Sequence, residues 1–256
     1  MRRFFISGPR YTAFLGWRYA AMDSLTELQR YLERHHGGNG ALAAERTFAS
    51  HQRNHDDVFM AFWARHSNLQ PNQSQQIADL GCGPGLFLKD LSNAHPSWQL
   101  TGIECAPYML ERIETLPKNI QVRIADLNAP ARELFSDATL DLALANRLVH
   151  ELHQPITLFC QLRHWLKPGG RLLLVDMVRQ PIKNYLSHEL KGQALRDLDL
   201  SPAQLHDLFQ HFLEHNRYTS EDLCDLLTLC GFEILEVEAI RSGRAVQIAA
   251  RNPNSE

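Results

Sequence analysis

The feature that most constrains the fold is an alternation of short apolar runs and amphipathic stretches that begins at Ile77. The apolar runs have the length of buried strands, and the intervening stretches have helical spacing. This alternation predicts a parallel β-sheet covered by helices on both faces. The predicted strands are Ile77–Leu80, Gln99–Ile103, Gln121–Ile124, Leu140–Ala145 and Arg171–Val175, and the helices between them include Leu86–Asn93, Tyr108–Thr115 and Ile156–Trp165.

Two further strands, Phe232–Glu238 and Ala245–Ala250, follow a helix that begins near Thr219 and ends at Gly231. They are joined by the four residues Arg241–Arg244, and so short a turn requires antiparallel pairing. We therefore expect an α/β fold whose seven-stranded sheet is mostly parallel and has an antiparallel C-terminal strand.

Helical sequence surrounds this core in two places. Residues 1–73 are predicted to form an N-terminal helical extension, with one helix from about Ser24 and a second over Ala41–Ala64. Residues 74–256 form the main domain, and a helical insert after the fifth strand occupies about 181–217. We expect the extension to act as a lid over the site or as a dimerisation element.

The composition excludes several classes of protein. An apolar fraction of 44% in 256 residues is that of a globular chain. The net charge of −3 gives no general electrostatic reason to bind nucleic acid. Five scattered cysteines indicate reduced thiols and a cytoplasmic protein. No apolar run approaches the roughly 18 residues of a membrane span, so no membrane association is expected.

A glycine-rich turn, Asp79–Gly85, directly follows the first strand and opens a helix. Glycines let the backbone turn sharply and approach a ligand beside a helix N-terminus. A dinucleotide-binding loop would have glycine where this chain has Leu86, and the Gly-Lys-Ser/Thr of a phosphate-binding loop is absent. The turn therefore favours close approach of a ligand without completing either phosphate motif.

Acidic residues follow the next two strands. Glu104 closes the second strand and Asp126 follows the third. Because the carboxyl ends of parallel strands gather at one edge, Asp79, Glu104 and Asp126 should converge on one crevice. Such a crevice suits a ligand rich in hydroxyl and amino donors.

Together these motifs resemble the class I S-adenosylmethionine-dependent methyltransferases. Asp79–Gly85 matches the first motif of that family, Asp/Glu-x-Gly-x-Gly-x-Gly. Leu166–Leu172 resembles the segment before the fifth strand, and Thr219–Arg251 resembles the closing helix and hairpin. The resemblance covers roughly residues 74–180 and 218–251. It implies S-adenosylmethionine as methyl donor and S-adenosylhomocysteine as product.

The resemblance also implies roles for individual residues. Glu104 would bind both ribose hydroxyls, Asp126 and Leu127 would contact the adenine amino group and ring, and Asn146 would lie near the methionine part. The other implied cofactor contacts are Asp79, Gly81, Cys82, Gly83, Gly85, Cys105 and Met109.

The candidate catalytic residues are His150, Asp176 and Tyr185. His150 lies in a segment that resembles the family's border of the methyl site, although packing or helix capping would explain it equally well. Asp176 ends the fifth strand, and Tyr185 combines a flat face with a polar tip that suits a pocket wall. No metal site is expected, and the histidines of the helical parts, His55 among them, are expected at the surface.

The leading function is methylation of an oxygen or nitrogen atom of a small molecule. The Asn-Pro-Pro-Tyr and Asp-Pro-Pro-Tyr signatures of enzymes that methylate planar amino groups are absent after the fourth strand. A methyltransferase for tRNA or protein and a noncatalytic S-adenosylmethionine-binding regulator remain alternatives. A homodimer is left open.

Overall fold

The computed structural model describes residues 25–36 and 38–253, so the predictions for the first 24 residues lie outside the described residues. The described strands form one seven-stranded sheet in the order β3-β2-β1-β4-β5-β7-β6. Strands β1 to β5 pair in parallel, whereas β7 runs antiparallel to β5 and β6. The predicted fold class is confirmed. The strands are β1 Gln76–Leu80, β2 Gln99–Glu104, β3 Ile120–Ile124, β4 Leu140–Asn146, β5 Leu166–Met177, β6 Glu233–Ile240 and β7 Ala245–Arg251.

The helices cover the sheet and flank its carboxyl edge. Three precede β1, three lie between β1 and β5, two form the insert after β5 and one precedes β6, all counted within the described residues. None of them is long and apolar enough to cross a membrane. The helices are α1 Leu25–His35, α2 Gly40–Asn54, α3 Asp57–His66, α4 Leu86–Ala94, α5 Pro107–Leu110, α6 Ile156–Trp165, α7 Ile182–Glu189, α8 Pro202–His215 and α9 Ser220–Leu229.

The core lies on both faces of the sheet. Successive residues of β4 alternate between two apolar clusters, because side chains of a strand point to opposite faces. Ala143 packs with Phe159 and Trp165 of α6, whereas Leu142 packs with Phe62 of α3. Burial on both faces leaves the carboxyl edge of the strands as the place where polar groups can gather.

Two helix predictions were wrong in length. The stretch Ala41–Ala64 is two helices, because the Asp56 side chain accepts a hydrogen bond from Phe59 N at 3.0 Å and caps a new helix there. The helix predicted over Tyr108–Thr115 is a single turn that ends at Leu110.

Candidate functional site

The glycine turn after β1 adopts the backbone conformation that its composition predicts. Gly81, Gly83 and Gly85 have φ angles of 69°, 53° and 70°, in the left-handed region that other residues rarely adopt. The N–H groups of Gly81 and Cys82 donate to Ile103 O at 2.8 and 3.0 Å, which ties the turn to β2. The turn thus presents backbone with little steric bulk at the carboxyl edge of the sheet.

Glu104 joins the glycine turn to the chain that follows β2. Its Oε2 accepts a hydrogen bond from Gly83 N at 2.9 Å, and its Oε1 accepts from Cys105 N and Ala106 N, both at 2.8 Å. Burial raises the pKa of Glu104, although these three N–H donors oppose that effect. Since a carboxylate has about four acceptor positions, this group can still accept from a ligand hydroxyl.

Asp79 is a buried carboxyl group with no hydrogen-bond donor among the described residues. It is 6% exposed, and no described residue donates a hydrogen bond to its side chain. Burial and the nearby charge of Glu104 raise its pKa to about 7. A buried polar group without a partner is costly, so this position fits a ligand that brings an amino group.

Asp126 is oriented by its own neighbour along the chain. Its Oδ1 accepts from Asn128 N at 2.7 Å and from Asn128 Nδ2 at 3.0 Å. No described residue donates to its Oδ2, so one oxygen stays available. Leu127, in contrast, is buried within the apolar core beneath this edge.

The remaining predicted contact residues lie beneath the turn or beside it. Cys82 packs against Gly102 of β2, where a Cβ atom would lie 2.6 Å from the Cys82 Sγ atom. The Cys105 carbonyl oxygen accepts a hydrogen bond from Gln29 Nε2 at 2.8 Å. Met109 is buried against Ala43 and neighbouring alanines.

Helices α1 and α2 lie against the cofactor side of this edge. His36 Nδ1 is 2.6 Å from the Tyr108 hydroxyl oxygen. A Cβ atom at Gly40 would lie 2.5 Å from Cγ of the Tyr108 ring, so only glycine allows this approach. Sequence reasoning missed His36, Tyr108, Gln29 and Gly40. The signal that was available was the glycine itself, which is needed for close packing as well as for ending a helix.

A buried ion pair lies at the ends of β4 and β5. His150 Nδ1 is 2.5 Å from Asp176 Oδ1, and the two residues are 5% and 1% exposed. His150 Nε2 is 3.1 Å from Glu151 Oε1, which is also 3.3 Å from His36 Nε2. Burial disfavours the His150 charge, but the carboxylates of Asp176 and Glu151 outweigh it and raise the pKa to about 9. The structure therefore brings His150 and Asp176 together as a cation held between carboxylates.

Asn146 at the end of β4 contacts a residue that was expected at the surface. His55 Nδ1 donates to His51 O at 3.0 Å, which leaves Nε2 to accept from Asn146 Nδ2 at 3.2 Å. The His55 ring stacks on Phe87 with centroids 4.5 Å apart. Burial lowers the pKa of His55 to about 4, so the ring is neutral. The surface prediction for His55 was wrong because the break at Asp56 turns the ring inward.

Comparisons with known proteins agree with this geometry. A family model described as a methyltransferase domain matches residues 78–172. The malonyl-[acyl-carrier protein] O-methyltransferase of Halalkalibacterium halodurans is 31% identical over 105 residues, which is 40% of this chain and 39% of that protein. An S-adenosylmethionine-dependent methyltransferase structure from Mesorhizobium loti superposes with a TM-score of 0.54 at 20% identity, covering 75% of this chain and 96% of that one.

Residues 78–172 of this chain match a methyltransferase domain, and the sheet of the chain has the class I methyltransferase fold. A longer match is the O-methyltransferase resE of Aspergillus sclerotiorum, 29% identical over 68% of this chain and 61% of that protein. The chain thus spans between about two fifths and three fifths of these two curated relatives. The family predicted from the sequence is confirmed.

Outside the matched residues, the insert of the methyltransferase domain holds the third catalytic candidate. Tyr185 of α7 is buried, and its hydroxyl oxygen is 2.6 Å from His211 Nδ1 of α8. Its ring also packs against Phe212, with centroids 5.0 Å apart. The Tyr185 hydroxyl is therefore engaged within the insert, and its catalytic role stays a prediction.

Proposed function

We propose that this chain is an S-adenosylmethionine-dependent methyltransferase that methylates an oxygen or nitrogen atom of a small molecule. The observation that carries the proposal is Glu104, a carboxylate held by three backbone N–H groups beside left-handed glycines. Asp79 on the neighbouring strand, to which no residue in the described part of the chain donates a hydrogen bond, supports the proposal as a second polar group for the ligand.

The residues of the β1–β3 edge fit the parts of the cofactor. Glu104 would accept from the ribose hydroxyls, Asp126 Oδ2 from the adenine amino group and Asp79 from the amino group of the methionine part. The glycine turn lets backbone approach the cofactor without side-chain interference. When bound, S-adenosylmethionine supplies a methyl group on a sulfonium, which is already activated toward a nucleophile.

The chain itself positions the reactants and excludes water. Holding an acceptor in line with an activated carbon can contribute several kcal/mol to catalysis. Asn146 is fixed by His55 from the lid side, and the His150 cation is fixed by Asp176 and Glu151. At neutral pH His150 is protonated and cannot accept a proton, whereas the lone pair at Nε2 of the neutral His55 accepts the hydrogen bond from Asn146 Nδ2.

Residues 25–54 are proposed to be a lid. Gln29 and His36 bond to Cys105 and Tyr108 from above the cofactor edge, and Thr47 Cγ2 would be 3.5 Å from a Cβ atom on Gly83. A covered edge admits a small acceptor more readily than a folded macromolecule, which supports a small-molecule substrate. The near-neutral charge of the chain supports it as well.

Transfer of a labelled methyl group tests the proposal. The full chain is incubated with labelled S-adenosylmethionine and separate metabolite, RNA and protein fractions, with Glu104→Gln as the matched inactive control. We expect label in the metabolite fraction only, and calorimetric binding of S-adenosylhomocysteine but not of NAD. Label in the RNA or protein fraction would show that the acceptor is a macromolecule and would contradict the proposed small-molecule substrate. Binding of S-adenosylhomocysteine without methyl transfer to any fraction would indicate a noncatalytic regulator.

A further inference from the structure

Three arginines lie together beyond the carboxyl ends of β4 and β5. Arg147 directly follows β4, and its backbone N–H donates to Val175 O of β5 at 2.8 Å. Arg241 lies in the turn before β7, and the start of β7 pairs with the carboxyl end of β5. Arg241 Nη2 donates to Arg53 O at 3.0 Å, which brings the end of α2 to the same place.

The acceptor side of the site is next to this arginine cluster. Arg147 follows Asn146, the residue that contacts His55 and that we place near the methionine part of the cofactor. Arg53 lies two residues before His55 on the lid. A group bound by Arg147 would therefore lie at the edge where the acceptor must enter.

The guanidinium groups of the cluster have no anionic partner in the part of the chain that the structure describes. None of Arg53, Arg147 and Arg241 forms an ion pair with a carboxylate among the described residues. Desolvation lowers the pKa of the solvent-exposed Arg147, the charges of Arg241 and Arg53 lower it further, and the charges of Asp176 and Glu151 oppose these effects. An anion between these groups would relieve their repulsion.

The two nearby carboxylates are already committed to other donors. Asp176 accepts from His150 Nδ1 and from the backbone N–H groups of Val149 and Met177. Glu151 Oε1 lies between His36 and His150. The arginine cluster is therefore not the counter-charge of these acids, and it needs another explanation.

We propose that the acceptor carries an anionic oxygen group, a carboxylate or a phosphate, which Arg147 binds with help from Arg53 and Arg241. This inference rests on the proposed function and names the substrate class of the same site. A guanidinium binds either group through two parallel N–H donors, which an ammonium cannot match.

Binding of small anions to the protein saturated with S-adenosylhomocysteine tests the inference. Malonate and inorganic phosphate serve as carboxylate and phosphate probes, and malonamide is the neutral control, all measured by calorimetry. We expect at least one anion to bind, malonamide not to bind, and Arg147→Gln to weaken anion binding at least tenfold. Arg147→Lys should retain part of the affinity, because it keeps the charge and loses the paired donors.

Arg132→Gln is the matched control, because Arg132 is exposed and already paired with Asp137 at 2.7 Å. It should leave anion binding unchanged. Equal binding of malonate and malonamide, or an Arg147→Gln variant that binds anions as the parent does, would overturn the inference and leave the proposed function intact. If S-adenosylhomocysteine itself fails to bind, the proposed function fails and this inference falls with it.

Discussion

The two halves of the carboxyl edge are built in different ways. At β1–β3 the carboxylate of Glu104 is held by backbone N–H groups that lie near it along the chain or in the glycine turn. At β4–β5 the charges of His150, Asp176 and Glu151 are paired with one another, and Asp176 also accepts from the backbone N–H groups of Val149 and Met177. The carboxylates of the β1–β3 half can still accept hydrogen bonds from a ligand, whereas the described carboxylates of the β4–β5 half are already paired with His150.

The difference indicates separate tasks for the two halves. Backbone donors cannot leave or change charge, so the β1–β3 half can recognise the same cofactor in each cycle. The β4–β5 half depends in addition on pairing between side-chain charges, and each of these charges can be removed by a single substitution. Changes there should affect stability and the acceptor, and changes at β1–β3 should affect the cofactor.

The largest expected effect is the loss of folding stability when the buried ion pair of His150 and Asp176 is broken. Asp176→Asn removes the carboxylate charge nearest to the buried His150 cation, and breaking such a pair costs about 3–5 kcal/mol of folding free energy. Urea unfolding of the variant and the parent measures this loss. Asp137→Asn, which breaks the exposed pair with Arg132, is the control and should change little. Equal losses in the two variants would contradict the account.

The same pair predicts how stability depends on pH. The pKa of His150 is raised from 6.5 to about 9 in the folded protein, so its stabilisation is full below pH 6.5 and is lost as the pH rises to about 9. The unfolding free energy of the parent should fall across this window, and that of Asp176→Asn should fall less. Parallel pH profiles for the two proteins would show that His150 is not held as a cation.

At the other half, Glu104→Gln should weaken binding of S-adenosylhomocysteine by about 1–3 kcal/mol. The glutamine NH₂ group must face one of the backbone N–H groups that the carboxylate oxygens now accept, which also disturbs the glycine turn. Calorimetry measures the change. Glu114→Gln, at a side chain that is 88% exposed, should bind as the parent does. An unchanged dissociation constant in a folded Glu104→Gln protein would remove Glu104 from the cofactor site.

A smaller effect is expected at Asp126. Asparagine can keep the acceptor toward Asn128 but loses the second oxygen, so adenine recognition should weaken by about 0.5–1.5 kcal/mol. The preference for an adenosine-type over an inosine-type cofactor analogue should shrink. If that preference is the same in the parent and the variant, Asp126 does not bind the adenine amino group.

The contrast between the halves also explains what the sequence could predict. The glycine turn, the mostly parallel sheet and the positions of Asp79, Glu104 and Asp126 follow from local patterns and from the geometry of parallel sheets. The bond from Gln29 to Cys105 and the pair of His36 with Glu151 join residues 76 and 115 positions apart. Such contacts depend on where whole helices pack, and no local pattern in one sequence encodes that.

Helix limits failed for a related reason. The break at Asp56 needs only one side-chain cap, and an apolar pattern that continues across the cap hides it. That break sets the position of His55, so a small error in a helix boundary removed a site residue from the prediction.

The most direct test of the cofactor site is the affinity for S-adenosylhomocysteine between pH 5.5 and 7.5. Because the pKa of Asp79 is raised to about 7 by burial and by Glu104, binding of an amino group there should expel a proton. The account predicts that affinity increases with pH below 7, approaching about tenfold per pH unit, and that Asp79→Asn loses this increase. Affinity that does not change with pH, or changes equally in Asp79→Asn, would contradict it.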